Sequence, residues 1–170
     1  MDTLLGLLFL AGLVAAVWGW HRLKAAARKK LNTTVFQRKN HTLGQQLTGE
    51  VLTFTSSRSP AELVSAVRTR LDLPESSGPL PRLYLADGAE NGLAFIQGSK
   101  FGDNFRAELV LDPAEPASDG AQSKGVLAVL NWTEVDGIVG HVDDLDYLRS
   151  AVEAAIRETD PDVRFEALPL

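Results

Sequence analysis

The chain has 170 residues, 45% of them hydrophobic, which is room for one packed domain plus an appendage, and its lack of cysteine excludes disulfides and thiolate metal sites. The net charge of −5 is unevenly divided: residues 1–40 hold seven Lys/Arg and one acid, whereas residues 41–170 hold ten Lys/Arg and 21 acids. So acidic a body would repel phosphates, so nucleic acid is not an expected partner.

Thr3–Trp20 is a run of 18 uncharged residues built on Leu4, Leu5, Leu8, Phe9, Leu13, Val17, Trp18 and Trp20. As an α-helix it would cover roughly 27 Å, close to the hydrocarbon thickness of a bilayer. An export signal normally has cations before the apolar run and small residues after it. Here the run begins Met-Asp-Thr and is followed by bulky, basic "VWGWHRLK", so an uncleaved span is expected in preference to a signal peptide or a core helix. The cations Arg22, Lys24, Arg28, Lys29 and Lys30 all lie on the C-terminal flank. The positive-inside rule then puts the N-terminus outside and the rest of the chain in the cytoplasm, tethered to the cytoplasmic membrane. Anionic lipid headgroups would hold this basic neck at about 1 kcal/mol per nearby cation.

Residues 1–31 therefore read as a transmembrane helix with a basic extension. Residues 32–46, polar and weakly patterned, read as a linker, and 47–170 as a soluble domain. In that domain "GEVLTFTSS" alternates as a half-buried strand. "SRSPAELVSAVRTRLDLP" predicts a helix with a capping box, Ser59 as N-cap, Pro60 at N1 and Glu62 at N3. Its apolar stripe is Leu63, Val64, Val67 and Leu71, and Pro74 should stop it.

"RLYLADG" and "GLAFIQG" read as a hairpin. "NFRAELVLD" follows as a strand with Phe105, Ala107, Leu109 and Leu111 on one face. After the loop "PAEPASDGAQSKG" comes "VLAVLNWTEV", apolar enough to be central in its sheet. "DGIVGHV" turns the chain into a long amphipathic helix over Asp143–Pro161, whose first-turn aspartates suit the helix dipole. "VRFEAL" is a candidate last strand.

The order β-α-β-β-β-β-α-(β), with hairpins joined directly and helices outside them, predicts an α+β fold: one antiparallel sheet packed by two helices. At the level of fold alone, the order over Thr48–Thr159 resembles the helix-grip domains. That resemblance implies a curved sheet closed by a long helix.

The chemistry-bearing residues are sparse. His21, His41 and His141 are scattered, and His141 beside Asp143 and Asp144 reads as a loop followed by helix-end acids. There is no GxSxG, no phosphate-binding glycine loop and no HExxH, so no catalytic residue, metal or cofactor is assigned. The expected role is a non-enzymatic accessory or scaffold protein whose acidic domain meets a protein partner, as part of a larger membrane complex. The alternative is a tethered binder of an apolar small molecule or lipid, with Phe95, Phe105 and Trp132 lining an apolar pocket.

Overall fold

In the computed structural model, which describes residues 38–86, 88, 91–114 and 122–170, the chain is α+β with one large antiparallel sheet and three helices. The elements in order are α1 (Arg38–Gly49), β1 (Glu50–Ser56), α2 (Pro60–Leu71), β2 (Arg82–Ala86), β3 (Gly92–Ser99), β4 (Gly102–Pro113), β5 (Ser123–Trp132), β6 (Glu134–Val135), β7 (Ile138–Val139), α3 (Val142–Thr159) and β8 (Arg164–Pro169). The six long strands lie in the order β2-β3-β4-β5-β1-β8, and every neighbouring pair is antiparallel. The expected final strand thus forms, and it adds to the first strand rather than to its own sequence neighbours.

α2 starts as its sequence dictates. Ser59 Oγ accepts from Glu62 N–H, and Glu62 Oε2 accepts from Ser59 N–H at 3.0 Å, so two orphan amides at the helix start are satisfied. It ends at Leu71, three residues before Pro74, and the next residue, Asp72, turns left-handed (φ 43°) and donates its N–H to Arg68 O. The carbonyl of Pro74 instead accepts from Leu85 N–H of β2.

The apolar stripes of α2 (Leu63, Val67, Leu71) and α3 (Leu145, Leu148, Val152, Ile156) join one core with Leu52, Phe54, Leu85, Leu93, Phe95, Phe105, Leu109, Leu111 and Leu127. Strand side chains alternate between faces, so this core lies on a single face of the sheet, and all three helices cover that face.

Two expectations are corrected. The polar stretch read as a linker forms α1 from Arg38 onward, which makes three helices instead of two. Its buried stripe is Gly44, Leu47 and Thr48, with Leu43 beside it. Glycine and threonine carry no hydropathy signal, yet a Cβ on Gly44 would stand 2.9 Å from Val139 Cβ, so the glycine lets α1 lie against β7. The strand expected to run through Val135 breaks at Thr133. Glu134–Val135 folds back on Ile138–Val139 across Asp136 and Gly137, both at positive φ, as a two-residue hairpin turn requires.

Among the described residues no helix is long and apolar enough to cross a membrane. The expected span, from Thr3 to Trp20, and the basic residues Arg22, Lys24, Arg28, Lys29 and Lys30 lie outside the described residues.

Candidate functional site

The three residues expected to line an apolar pocket lie on β3, β4 and β5. Phe95 and Phe105 are fully buried in the core. Trp132 stands opposite Phe105 in the β4–β5 ladder and packs on the core's edge, partly buried. A small, partly open cavity of about 20 Å³ lies elsewhere, between β1, β5 and α3, lined by Leu47, Glu50, Leu52, Leu127, Leu145 and Arg149 among others. That is room for a single water. Glu50 Oε2 is buried there without a hydrogen bond, 3.6 Å from Arg149 Nη1.

His141 leads into α3 in the left-handed region (φ 55°), and its Nδ1 lies 3.1 Å from Asp144 Oδ2. No group of three or more His, Asp or Glu is placed to hold a metal among the described residues.

What the fold does create is an open sheet face. Opposite the helix layer, β8, β1, β5 and β4 present Leu168, Val51, Val126, Ala128 and Val110, with Thr53 and Thr55 between them. Three of these are large hydrophobics held in water: Val110 is 36% exposed, Val126 39% and Leu168 39%, and Leu130 at the β4–β5 bulge is 55% exposed. Thr53, Val126 and Val110 form one row across three strands, and Leu168, Val51 and Ala128 form the next. Single exposed hydrophobics are ordinary, but a contiguous patch inside a polar rim marks an interaction surface.

The rim is charged. Arg164, Thr55, Lys124 and Asp112 run across one end of the face. At the other side Arg106 donates from Nε (2.9 Å) and Nη2 (2.6 Å) to Glu108 Oε1. Beyond this pair the face is closed: Ile96 stands in register between Arg106 and Tyr84, Ala94 between Glu108 and Ala86, and both are buried. Tyr84 donates to Asp103 Oδ1 at 3.4 Å. Partial burial, then the Asp103 charge and this hydrogen bond, push the phenol above its ordinary range. The open patch is therefore confined to the β4–β5–β1–β8 half, where a shallow depression lined by Thr53, Thr55, Lys124, Val126, Arg164 and Glu166 crosses it.

Sequence reasoning named none of these residues as a site. The signal was present in "VLAVLNW", which is apolar at both parities, although among the described residues helices cover only one face of the sheet. Leu127 and Val129 of that run meet the core, while Val126, Ala128 and Leu130 do not.

No protein-family model matches this chain, and neither a curated protein nor a solved structure matches it significantly.

Proposed function

We propose that this protein is a membrane-anchored, non-enzymatic accessory protein whose acidic α+β domain docks a protein partner in the cytoplasm through the open face of its sheet. The observation that carries this reading is the contiguous, rimmed apolar patch of Val51, Val110, Val126, Ala128 and Leu168 on a face that no described helix covers. Exposing it costs solvation free energy on the order of 25 cal/mol per Å² of apolar area, which a partner would recover. The fitting partner presents an apolar centre with polar groups of both signs around it. Docking to the patch itself would not oppose the negative charge of the domain, because the rim mixes Lys124 and Arg164 with Asp112 and Glu166. The apolar run Thr3–Trp20 followed by cations supports a tether that keeps the domain on the cytoplasmic side.

The test is a photo-cross-linking residue placed at Val126 in the full-length chain in its native membrane, with the same probe at the exposed Ser65 of α2 as control. One defined adduct from position 126, lost when Val110 is changed to Glu and absent from position 65, supports the reading. Equal labelling from both positions, or none from 126, removes it. A reporter active only outside the cytoplasm, fused after Leu170, should be silent; an active fusion would overturn the orientation.

A further inference from the structure

The last strand leaves one edge of the sheet without a neighbour among the described residues, and its parity can be read from a single hydrogen bond. Leu170 N–H donates to Gly49 O at 2.9 Å, and the β1–β8 register pairs Glu50 with Pro169, so Leu170 and Gly49 are a hydrogen-bonding pair. Such pairs alternate along an antiparallel ladder. Arg164, Glu166 and Leu168 therefore bond inward to β1, whereas the backbone groups of Phe165 and Ala167 face outward. Pro169 also faces outward, where its missing N–H costs nothing within the sheet.

From this edge we infer a homodimer seam: β8 of one copy pairs antiparallel with β8 of a second, about a two-fold axis that sets Phe165 opposite Phe165. In this register Arg164 of each copy stands opposite Glu166 of the other, on the same sheet face, and the edge is complementary in charge to itself. Moving the register by two residues in sum sets like charges opposite each other, Glu166 against Glu166 in one direction and Arg164 against Arg164 in the other. Moving it by four sets Pro169 against Phe165, where a donor is needed and none exists. Only the Phe165-centred register avoids both faults.

The core-side face agrees. Phe165 packs at 5.3 Å from Phe54, and Arg157 covers its ring from α3 at 4.6 Å, yet the ring remains only partly buried at the sheet's end. The seam would extend this into a row of four rings, Phe54–Phe165 of one copy and Phe165–Phe54 of the other. It would join two six-stranded sheets into one of twelve and keep both open faces on the same side. This assembly stands independently of the partner proposed for the open face.

The chain's lack of cysteine makes the register directly readable. Phe165→Cys, Glu166→Cys and Ala167→Cys are made singly in the full-length chain, oxidised mildly and run without reductant. A hydrogen-bonded pair has Cα atoms about 5.5 Å apart, within disulfide reach. Position 165 should form the cross-linked dimer fastest. Dominance of 166 or of 167 would overturn the register, and no dimer at any of the three would overturn the seam. Because Phe165→Cys also removes a packed ring, a charge exchange gives a second reading by sedimentation. Arg164→Glu should weaken association about tenfold, and Arg164→Glu combined with Glu166→Arg should restore it. Equal association by wild type and Arg164→Glu would refute the pairing.

Discussion

Ser56 Oγ donates to Asp160 Oδ2 over 2.6 Å, so the last residue of β1 is tied to the residue that caps α3. The same oxygen accepts from Ser57 N–H at 2.7 Å and Ser57 Oγ at 3.1 Å, while Oδ1 accepts from Asp162 N–H at 3.2 Å. Asp160 is almost wholly buried. This clasp fixes where the chain leaves α3 and hence where β8 begins beside β1. It positions Phe165, Arg164 and Glu166, on which both the rim of the open face and the proposed seam depend.

Removing the clasp should be costly. Hydrogen bonds to a charged group are worth about 1.5–3 kcal/mol, so Asp160→Ala, which strands four hydroxyl and amide donors, should lower stability by about 2–4 kcal/mol. Ser56→Ala should cost less, since Ser57 and Asp162 still donate. Urea unfolding at neutral pH measures both. A loss below about 0.5 kcal/mol for Asp160→Ala would show that water replaces the serines without penalty.

The clasp also predicts an acid response. Burial opposes the charge on Asp160, but the hydrogen bonds from Ser56, Ser57 and Asp162 outweigh it and hold the carboxyl below the ordinary aspartate range. The folded form therefore binds this proton less readily than the unfolded chain. Its contribution is fully present above the unfolded value near 3.9 and is lost as pH falls through the lower, folded value. Wild type should lose stability on acidification through that window. Asp160→Asn should be weaker at pH 7 and show a smaller fall, so the two curves converge in acid. Parallel curves would assign the acid loss to other carboxylates.

Much of this framework was legible because the local rules agreed with the fold. The Ser59–Glu62 box, the alternation of Phe105 to Leu111 and the stripe from Leu145 to Ile156 each have one period and one buried side. What was not legible depended on partners far along the chain. α1 hides its contact face in Gly44 and Thr48, whose value appears only when Val139 arrives from 95 residues away. The run "VLAVLNW" signalled two apolar faces but not which residue belongs to which, because Val126 and Leu127 look alike in sequence. Only the register with β1 and β4 sends one to water and the other to the core. The edge that β8 leaves without a neighbour among the described residues followed from its pairing with β1, which no local pattern encodes.

Glu50 and Arg149 offer a test of how a half-buried ion pair behaves. Glu50 Oε2 has no hydrogen bond, Arg149 Nη1 stands 3.6 Å away, and Arg149 Nε shares itself with Glu153 Oε1 at 3.5 Å. The pair satisfies neither charge well beside an apolar cavity. Arg149→Leu alone should cost about 1–3 kcal/mol, short of the value for a fully buried pair because both side chains keep some solvent. Glu50→Leu with Arg149→Leu should recover most of that loss. Thermal or urea melts of the single and double variants decide it, and a double variant weaker than Arg149→Leu would show the pair to be net stabilising.

Gly125 carries the sharpest steric prediction. It lies on the core side of β5 in register with Phe54, and a Cβ built there would come within 2.5 Å of the Phe54 ring at Cε1. The ring occupies the space that a side chain would fill, and its own position is set by Phe165 at 5.3 Å. Gly125→Ala must therefore push Phe54 toward Phe165 or bend β5 away from β1, an overpacking cost of about 1–3 kcal/mol. If the ring is the cause, shortening it should relieve the strain: Gly125→Ala with Phe54→Leu should lose less than the two single losses added, by at least about 0.5 kcal/mol. Strict additivity would mean that the alanine is accommodated by the backbone. In that case the row from Gly125 through Phe54 to Phe165 would not act as one packed unit. The disturbance would also stop short of β8, leaving disulfide formation at position 165 unchanged in the Gly125→Ala background.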